Sequence, residues 1–327
     1  MKACVLGGGA WGTALAGQLV RAGHEVRLWA LEPQVVAEVN SQHRNSMYLP
    51  AVPLPDALTA TGDVPAAVAD ARLVVIAVPS EFCRAMYKRL KGTIAADAIL
   101  LSATKGLEIG TLLRMTEVAE DEVPGHPKAV ISGPSFAIEV AQEQPTALVV
   151  ASRDLEIAEE LQRAVSTRRF RAYSSDDVPG VELAGALKNV IAIAAGVVDG
   201  LGYGHNTVSA LITRGLAEMS RLVVAMGGRP ETMAGLAGLG DLVLTSTGGL
   251  SRNRRVGHIL GEGKTLAEAT ASHSVAEGVR TTLAACALAD RAGVDMPIAR
   301  QMRAVLHEGK PAREAVDELM LRALKRE

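Results

Sequence analysis

The stretch that most constrains the fold is a run of small and apolar residues from Leu183 to Val198, interrupted only by Lys188 and Asn189. A helix that is apolar on every side either spans a membrane or lies inside a domain core. A span needs about 20 apolar residues, whereas this run is shorter and carries a lysine near its middle. We therefore expect a central buried helix and not a membrane protein.

Lys188 is the unusual residue of that helix. Its ammonium group would lose its water there, so it must find partners or its pKa must fall. Two interpretations stay open at this point. The lysine could be catalytic, or its stem could follow the apolar surface until the charged end reaches water.

The composition limits the partners of the chain. Its 327 residues suggest two domains, and a hydrophobic content of 48% argues against disorder. Lys and Arg number 34 against 36 Asp and Glu, so no basic excess points to nucleic acid or to an anionic membrane. An anionic ligand must then be held by a few well-placed residues.

The cysteines and the N-terminus indicate the compartment. Cys4, Cys83 and Cys286 are odd in number and far apart, with no CxxC pair, which favours a reducing compartment and no metal cluster. The opening residues MKACVLGGG are too glycine-rich for a signal peptide. We expect a cytoplasmic protein.

A dinucleotide-binding pattern begins the chain. The predicted strand at 2–6 is followed by Gly7, Gly9 and Gly12 and then by a helix that ends at Gly23, which is G-x-G-x-x-G in the strand–turn–helix context that gives it meaning. Glu32 lies 20 positions after Gly12, where an acidic residue can bind the ribose hydroxyls of NAD. The alternatives are a purely structural turn and a solvated glutamate.

Strand and helix signals then alternate as far as Asp177. This spacing predicts an α/β fold, an N-terminal Rossmann-like doubly wound and mostly parallel sheet over residues 1–177. Residues 178–327 show only helical signals, so we expect an all-α C-terminal domain. Further strands are predicted at 24–30, 57–61, 73–78, 98–103, 129–132, 146–151 and 169–173.

Two charged residues stand in places that favour function. Lys105 follows a strand at the carboxyl end, where α/β sheets bind ligands; otherwise it is a solvated loop lysine. Asp241 is the only charge within the small, apolar stretch GLAGLGDLVLTSTGG. Both are therefore candidates for the site.

The basic segment at 251–255, SRNRR, coincides with a predicted helix start. Ser251 is a candidate N-cap, and Arg252 beside a helix N-terminus could clamp a phosphate. The alternative is a solvated basic turn, which suits Arg254 and Arg255 better than the whole set.

Taken together, the motifs resemble a known family. They are GGGAWGTALA, ATKGLE, ISGPSFAIEV, GALKNVIAIAAGVVDGLGYG, ITRGLAEMSRL, GLAGLGDLVLTSTGGLSRNRRVG and VAEGVRTT. In this order and spacing the chain resembles, over essentially its whole length, the soluble NAD(P)-dependent glycerol-3-phosphate dehydrogenases of the bacterial type. The ALKN and SRNRR segments separate it from the wider group of 6-phosphogluconate and hydroxyacid dehydrogenases.

The resemblance implies a role for each matching residue. Lys188 corresponds to the catalytic lysine, which makes residues 178–327 the expected substrate and catalytic domain. The implied substrate contacts are Lys105, Gly133, Ser135, Lys188, Asn189, Asp241, Ser251, Arg252 and Asn253. The cofactor contacts, including those expected from the glycine turn, are Gly7, Gly9, Ala10, Trp11, Gly12, Glu32, Lys105, Ala137, Arg252, Val275 and Glu277.

The implied reaction is the reversible reduction of dihydroxyacetone phosphate to sn-glycerol 3-phosphate for glycerophospholipid synthesis, with NAD(H) or NADP(H) and no metal. The nicotinamide would supply the hydride and Lys188 the proton. The resemblance also implies a homodimer. Leu31 occupies the position where the family often places a cation for the NADP 2′-phosphate, so NADH is expected to be used at least as well as by a typical bacterial relative. NADPH can also serve, and Arg27 could support its binding if the side chain reaches past the strand end.

Two other functions stay open from the sequence. One is another dehydrogenase of the same superfamily, acting on a hydroxyacid or a sugar phosphate. The other is a dinucleotide-sensing protein without turnover, against which Lys188, Asp241 and Arg252 argue because a sensor needs no proton donor.

Overall fold

The computed structural model describes residues 1–50, 52–271 and 276–324. The chain divides into two compact units. The first comprises Met1–Lys105 and Leu113–Glu182, and the second comprises Gly106–Leu112 and Leu183–Glu327. The short segment at 106–112 groups with the second unit, since the buried side chain of Leu107 belongs to the hydrophobic core of that unit. The domain boundary expected after Asp177 stays a prediction.

The first unit is built on one sheet of eight strands in the order β3-β2-β1-β4-β5-β6-β7-β8. Neighbouring strands run parallel, apart from β6 and β7, which are antiparallel. The strands are β1 Lys2–Leu6, β2 Glu25–Trp29, β3 Thr59–Thr61, β4 Leu73–Ile76, β5 Ile99–Ser102, β6 Lys128–Ser132, β7 Thr146–Ser152 and β8 Phe170–Ser175.

Helices cover both faces of this sheet, which explains why its central strands β1, β4, β5 and β6 are nearly continuous apolar runs. In β1, Ala3 and Val5 belong to one buried cluster and Cys4 and Leu6 to the other. The helices before β8 are α1 Ala10–Arg21, α2 Pro33–Gln42, α3 Val64–Val68, α4 Ser80–Leu90, α5 Met115–Glu122, α6 Ala137–Ala141 and α7 Leu155–Val165.

After β8 the described residues contain helices only. They are α8 Val178–Gly200, α9 His205–Ala225, α10 Pro230–Ala234, α11 Asp241–Thr247, α12 Arg252–Gly261, α13 Leu266–Ala269, α14 Glu277–Ala292, α15 Pro297–His307 and α16 Ala312–Met320, with a π-helical turn at Leu236–Gly240. By length and composition α8 could cross a membrane, but its most apolar window is 100% buried within the protein. It is the central core helix that the sequence predicts.

Glycines let α8 and α12 pack backbone against backbone. A β-carbon on Gly196 would overlap the carbonyl oxygen of Arg254, and one on Gly257 would overlap that of Ile193. Gly200 and Gly261 lie one turn further along the same contact. This close approach places the first turn of α12, with the SRNRR segment, against the helix that carries Lys188.

The predicted fold class is confirmed, and several element boundaries are corrected. The sequence pattern between the strands at 98–103 and 129–132 predicts a helix at 111–119, but the helix found there begins only at Met115, because Leu112 has a φ of 63°, which an α-helix cannot include. The weak strand expected from 57 begins at Thr59. The helix α3 and the π-helical turn were not predicted.

Candidate active site

The glycine turn between β1 and α1 fits a dinucleotide. Gly7 has a φ of 132°, and a β-carbon there would lie 2.6 Å from the carbonyl oxygen of Ala77. A β-carbon on Gly12 would overlap Gly7, whereas one on Gly9 would meet nothing within 4 Å. Gly9 is the N-cap of α1 and has no side-chain cap, so the first N–H groups of the helix, from Ala10 onward, can receive a phosphate.

Other predicted cofactor residues of the first unit lie on α1, at the start of α2 and on α6. Trp11 stands in the first turn of α1, and its buried Nε1 has no hydrogen-bond partner among the residues that the structure describes. Glu32 is the N-cap of α2, just past the end of β2, and accepts a hydrogen bond of 2.8 Å from the hydroxyl of Tyr48. Ala137 is the first residue of α6. Trp11 and Glu32 thus offer polar atoms near the glycine turn.

Lys105 and Ser135 converge on one carbonyl group. The ammonium of Lys105 and the hydroxyl of Ser135 each donate to the carbonyl oxygen of Gly133 at 2.9 Å. Gly133 has a φ of 141°, and a β-carbon there would lie 2.8 Å from that of Leu148. Only glycine therefore fits this position, as expected for a turn that gathers two polar side chains.

Lys188 has charged and polar partners in the core of the second unit. Its ammonium donates to a carboxylate oxygen of Asp241, and to the hydroxyl of Thr245 at 2.7 Å. All three residues are buried, with relative exposures of 5%, 1% and 5%. The ion pair compensates much of the hydration that Lys188 loses, so the charge does not need to reach the surface.

Ser251 caps α12 as predicted. Its hydroxyl accepts a hydrogen bond of 3.2 Å from the N–H of Arg254. Arg252, the first residue of the helix, is exposed and has no hydrogen bond or ion pair among the described residues. Although Arg252 is exposed, the protein atoms around its guanidinium displace part of its water and lower its pKa, which the carboxylate of Glu277 raises. A guanidinium stays charged throughout. Arg252 lines a pocket of about 220 Å³ together with Ser251 and Arg255.

Asn253 joins three helices. Its amide nitrogen donates to the side-chain oxygen of Asn189 on α8 at 2.9 Å, and its oxygen accepts from the N–H of Gly278 on α14 at 2.9 Å. Both asparagines are buried. These bonds tie the first turns of α12 and α14 to the residue that follows Lys188.

The predicted residues therefore fall into groups within each unit. The first unit brings together Lys105, Gly133 and Ser135, and separately the glycine turn, Trp11 and Glu32. The second brings together Lys188 with Asp241, Asn189 with Asn253, and Arg252 with Ser251 and Glu277. Val275 lies outside the described residues.

Sequence reasoning missed two residues that contact candidates. Thr245 lies one helical turn after Asp241, and that spacing could have revealed it. Tyr48 lies in a loop 16 positions from Glu32, and no pattern links the two. Arg27 does not reach past the strand end, because its guanidinium pairs with Asp70 at 2.8 Å.

The comparisons with known proteins agree with this architecture. Two family models match, the NAD-dependent glycerol-3-phosphate dehydrogenase N-terminus at residues 2–158 and its C-terminus at residues 177–317.

Glycerol-3-phosphate dehydrogenases [NAD(P)+] are among the relatives at the level of sequence. The one from Geobacter sp. (strain M21) is 50% identical over 100% of this chain and 98% of its own length. The one from Koribacter versatilis is 52% identical over 98% and 97%. The crystal structure of the Coxiella burnetii glycerol-3-phosphate dehydrogenase superposes with a TM-score of 0.94 at 45% identity, covering 98% of this chain and 99% of that one. The chain belongs to the family of NAD(P)-dependent glycerol-3-phosphate dehydrogenases.

Proposed function

We propose that this oxidoreductase interconverts dihydroxyacetone phosphate and sn-glycerol 3-phosphate with Lys188 as the proton donor and acceptor. The observation that carries the proposal is the buried contact of Lys188 with Asp241 and Thr245. A buried ammonium costs several kcal/mol in lost hydration even when it is paired. If no proton transfer were needed here, an apolar side chain at position 188 would stabilise the core at least as well.

The reaction needs a hydride at C2 of the substrate and a proton on the oxygen of C2. A bound nicotinamide cofactor supplies the hydride. Lys188 as ammonium gives its proton to the oxygen as negative charge develops there, and the resulting amine regains a proton from solvent. Asp241 and Thr245 hold the nitrogen in place. In the reverse direction the neutral amine takes the proton from the C2 hydroxyl.

The phosphate of the substrate would be bound by Arg252. The chain has no basic excess, so its affinity for an anion depends on single residues. Arg252 is exposed and is the first residue of α12, where the helix N–H groups add to its charge. Lys105 would add positive charge where the oxyanion forms, and Ser135 and Asn189 remain predicted substrate contacts.

Several residues would hold the cofactor. The turn of Gly7, Gly9 and Gly12 has the room and the open N–H groups that a pyrophosphate needs. The carboxylate of Glu32, just past the end of β2, would accept hydrogen bonds from the hydroxyls of the adenosine ribose. Ala10, Trp11, Ala137, Arg252 and Glu277 complete the proposed set.

The cellular setting is also a proposal. A cytoplasmic homodimer that supplies sn-glycerol 3-phosphate for glycerophospholipid synthesis fits the family. Among the described residues, no group of three or more His, Cys, Asp or Glu side chains could bind a metal. The proton transfer assigned to Lys188 does not require one.

The deciding experiment follows the oxidation of NADH and of NADPH with dihydroxyacetone phosphate, side by side, and with a panel of hydroxyacid and sugar-phosphate substrates. Turnover with dihydroxyacetone phosphate well above all others supports the proposal. Preference for another substrate favours a related dehydrogenase. Tight cofactor binding without any turnover favours the dinucleotide sensor.

A further inference from the structure

A loop after α2 is fastened to the glycine turn by one buried asparagine. Asn45 has a relative exposure of 0%. Its side-chain nitrogen donates to the carbonyl oxygen of Gly8 at 2.8 Å and to the hydroxyl of Thr13 at 2.9 Å. Its side-chain oxygen accepts from the N–H of Tyr48 at 3.1 Å. The position of Tyr48 is thus fixed relative to the turn that would hold the pyrophosphate.

A second contact secures the same loop to α2. The N–H and the hydroxyl of Ser46 both donate to the carboxylate of Glu38, at 2.9 Å and 2.7 Å respectively. Ser46 and Asn45 are neighbours, so the loop is held from two sides. Because two side-chain contacts restrain this short segment, the ring of Tyr48 has few alternative positions.

Tyr48 in turn fixes Glu32. Its hydroxyl donates to Oε1 of Glu32 at 2.8 Å, and both side chains are only partly buried. Glu32 ends the short connection from β2 to α2, while Ala30 in that connection packs against Gly8. The glycine turn, the end of β2 and the loop therefore meet around Gly8. The second oxygen of Glu32, Oε2, is not used in the bond with Tyr48.

We propose that Tyr48 is a positioning residue that sets the choice of cofactor by holding Glu32 where it accepts the adenosine ribose hydroxyls. This inference rests on the proposed function, in which Glu32 binds that ribose. A carboxylate that is held in place accepts charge-assisted hydrogen bonds from the ribose hydroxyls of NADH. It repels the 2′-phosphate of NADPH. Without the bond to Tyr48, the side chain of Glu32 would adopt other rotamers, and both the hydrogen bonds to NADH and the repulsion of NADPH would weaken.

The neighbouring cations do not offset Glu32. Arg27 on β2 is paired with Asp70 at 2.8 Å and donates to the carbonyl of Ala66 at 3.0 Å. Arg44 is exposed on the loop, and its charge acts on the carboxylate of Glu38. The position after β2 where the family often has a cation holds Leu31, whose side chain is 73% exposed.

The test measures the dissociation constants of NADH and NADPH by calorimetry, without substrate, for Tyr48→Phe, Glu32→Ala and the double variant. Phenylalanine keeps the ring and removes only the hydroxyl. We expect Tyr48→Phe to weaken NADH binding by about 10-fold and to leave NADPH binding unchanged or tighter. In the Glu32→Ala protein the same change should have no further effect, because its partner is gone.

Tyr173→Phe is the matched control, since Tyr173 lies on β8, at the edge of the sheet opposite β3. This variant should bind both cofactors as the unaltered protein does. Three results would overturn the proposal: equal weakening of both cofactors, a loss that persists in the Glu32→Ala protein, or no loss of NADH binding. Because binding is measured without turnover, a failure of the proposed reaction would appear separately in the activity assay.

Discussion

At the scale of single residues, Lys188 and Asp241 show why charge in an apolar context is informative. Each is the exceptional residue of a small, apolar stretch, and the structure pairs them in the core. A buried charge is costly unless it is paired, so sequence alone predicts that such residues matter. The mechanism that the resemblance implies makes Asp241 a candidate to orient either Lys188 or the C1 hydroxyl of the substrate, and the structure pairs Asp241 with Lys188. Thr245 was missed because its spacing of one helical turn from Asp241 was not examined, although that spacing places both side chains on the face that meets Lys188.

Replacing Lys188 tests its role directly. Lys188→Ala should lower kcat by about 10²- to 10⁴-fold, the usual contribution of a general acid, while the dissociation constant of NADH stays unchanged. Steady-state kinetics and calorimetry measure the two quantities. Lys264→Ala, which removes an exposed lysine, is the control. A kcat within a few-fold of the unaltered enzyme would contradict the assignment.

We expect Arg252 to bind the phosphate of the substrate. A charge-assisted contact contributes roughly 1.5–3 kcal/mol, or about 10- to 100-fold in affinity. Arg252→Ala should therefore mainly raise KM for dihydroxyacetone phosphate, with some loss of kcat because the phosphate positions C2. Arg252→Lys should recover part of the loss, since it keeps the charge without the planar fork.

The comparison that decides this is between dihydroxyacetone phosphate and unphosphorylated dihydroxyacetone. If Arg252→Ala weakens both by the same factor, Arg252 does not bind the phosphate. Arg291→Ala, which changes an exposed arginine at the end of α14, should leave both substrates unaffected.

At the scale of elements, sequence reasoning succeeded where one pattern fixes the structure. The glycine turn, the buried strands of the sheet and the apolar helix α8 all lie where the sequence predicts. The π-helical turn at Leu236–Gly240 was missed, because its geometry depends on Gly238 fitting against the backbone of Met233. The hydrogen bonds that link Asn45, Tyr48 and Glu32 join a loop to a strand end. Such contacts were missed because no periodic pattern in the sequence indicates them.

A carboxylate between two helices should make stability depend on pH. Glu218 on α9 accepts hydrogen bonds from the N–H groups of Ile298 at 2.8 Å and Ala299 at 3.4 Å, in the first turn of α15. Burial raises its pKa to about 7, although these N–H groups and Arg221 act in the opposite direction. The unfolded chain therefore ionises Glu218 at lower pH than the folded protein does.

Because the folded state keeps this proton longer, the contribution of Glu218 to stability falls as pH rises from about 4.5 to 7. The shift corresponds to roughly 3 kcal/mol. Denaturant unfolding at several pH values should show that Glu218→Gln removes this part of the pH dependence, whereas Glu314→Gln, on the exposed side of α16, retains it. Parallel pH profiles for the unaltered protein and Glu218→Gln would contradict the assignment.

At the scale of the whole molecule, the two units have separate hydrophobic cores, and the cysteines are divided between them. Cys4 and Cys83 lie in the first unit and Cys286 in the second, and all three are buried without a disulfide. Burial raises the pKa of Cys4 to about 12 and that of Cys286 to about 11. Since the thiolate is the reactive form, labelling of these thiols should require unfolding.

In the native, active protein almost none of the thiols should therefore be labelled by a thiol reagent. After denaturation all three cysteines should react. In mild denaturant the labelled positions, identified by mass spectrometry, report the opening of each unit. NADH stabilises the state that binds it, and its proposed glycine turn lies in the first unit. If the units open separately, NADH should slow the labelling of Cys4 and Cys83 more than that of Cys286. If they open together, NADH should slow the labelling of all three cysteines by the same factor. A cysteine that reacts within minutes in the active enzyme would contradict the burial on which this prediction depends.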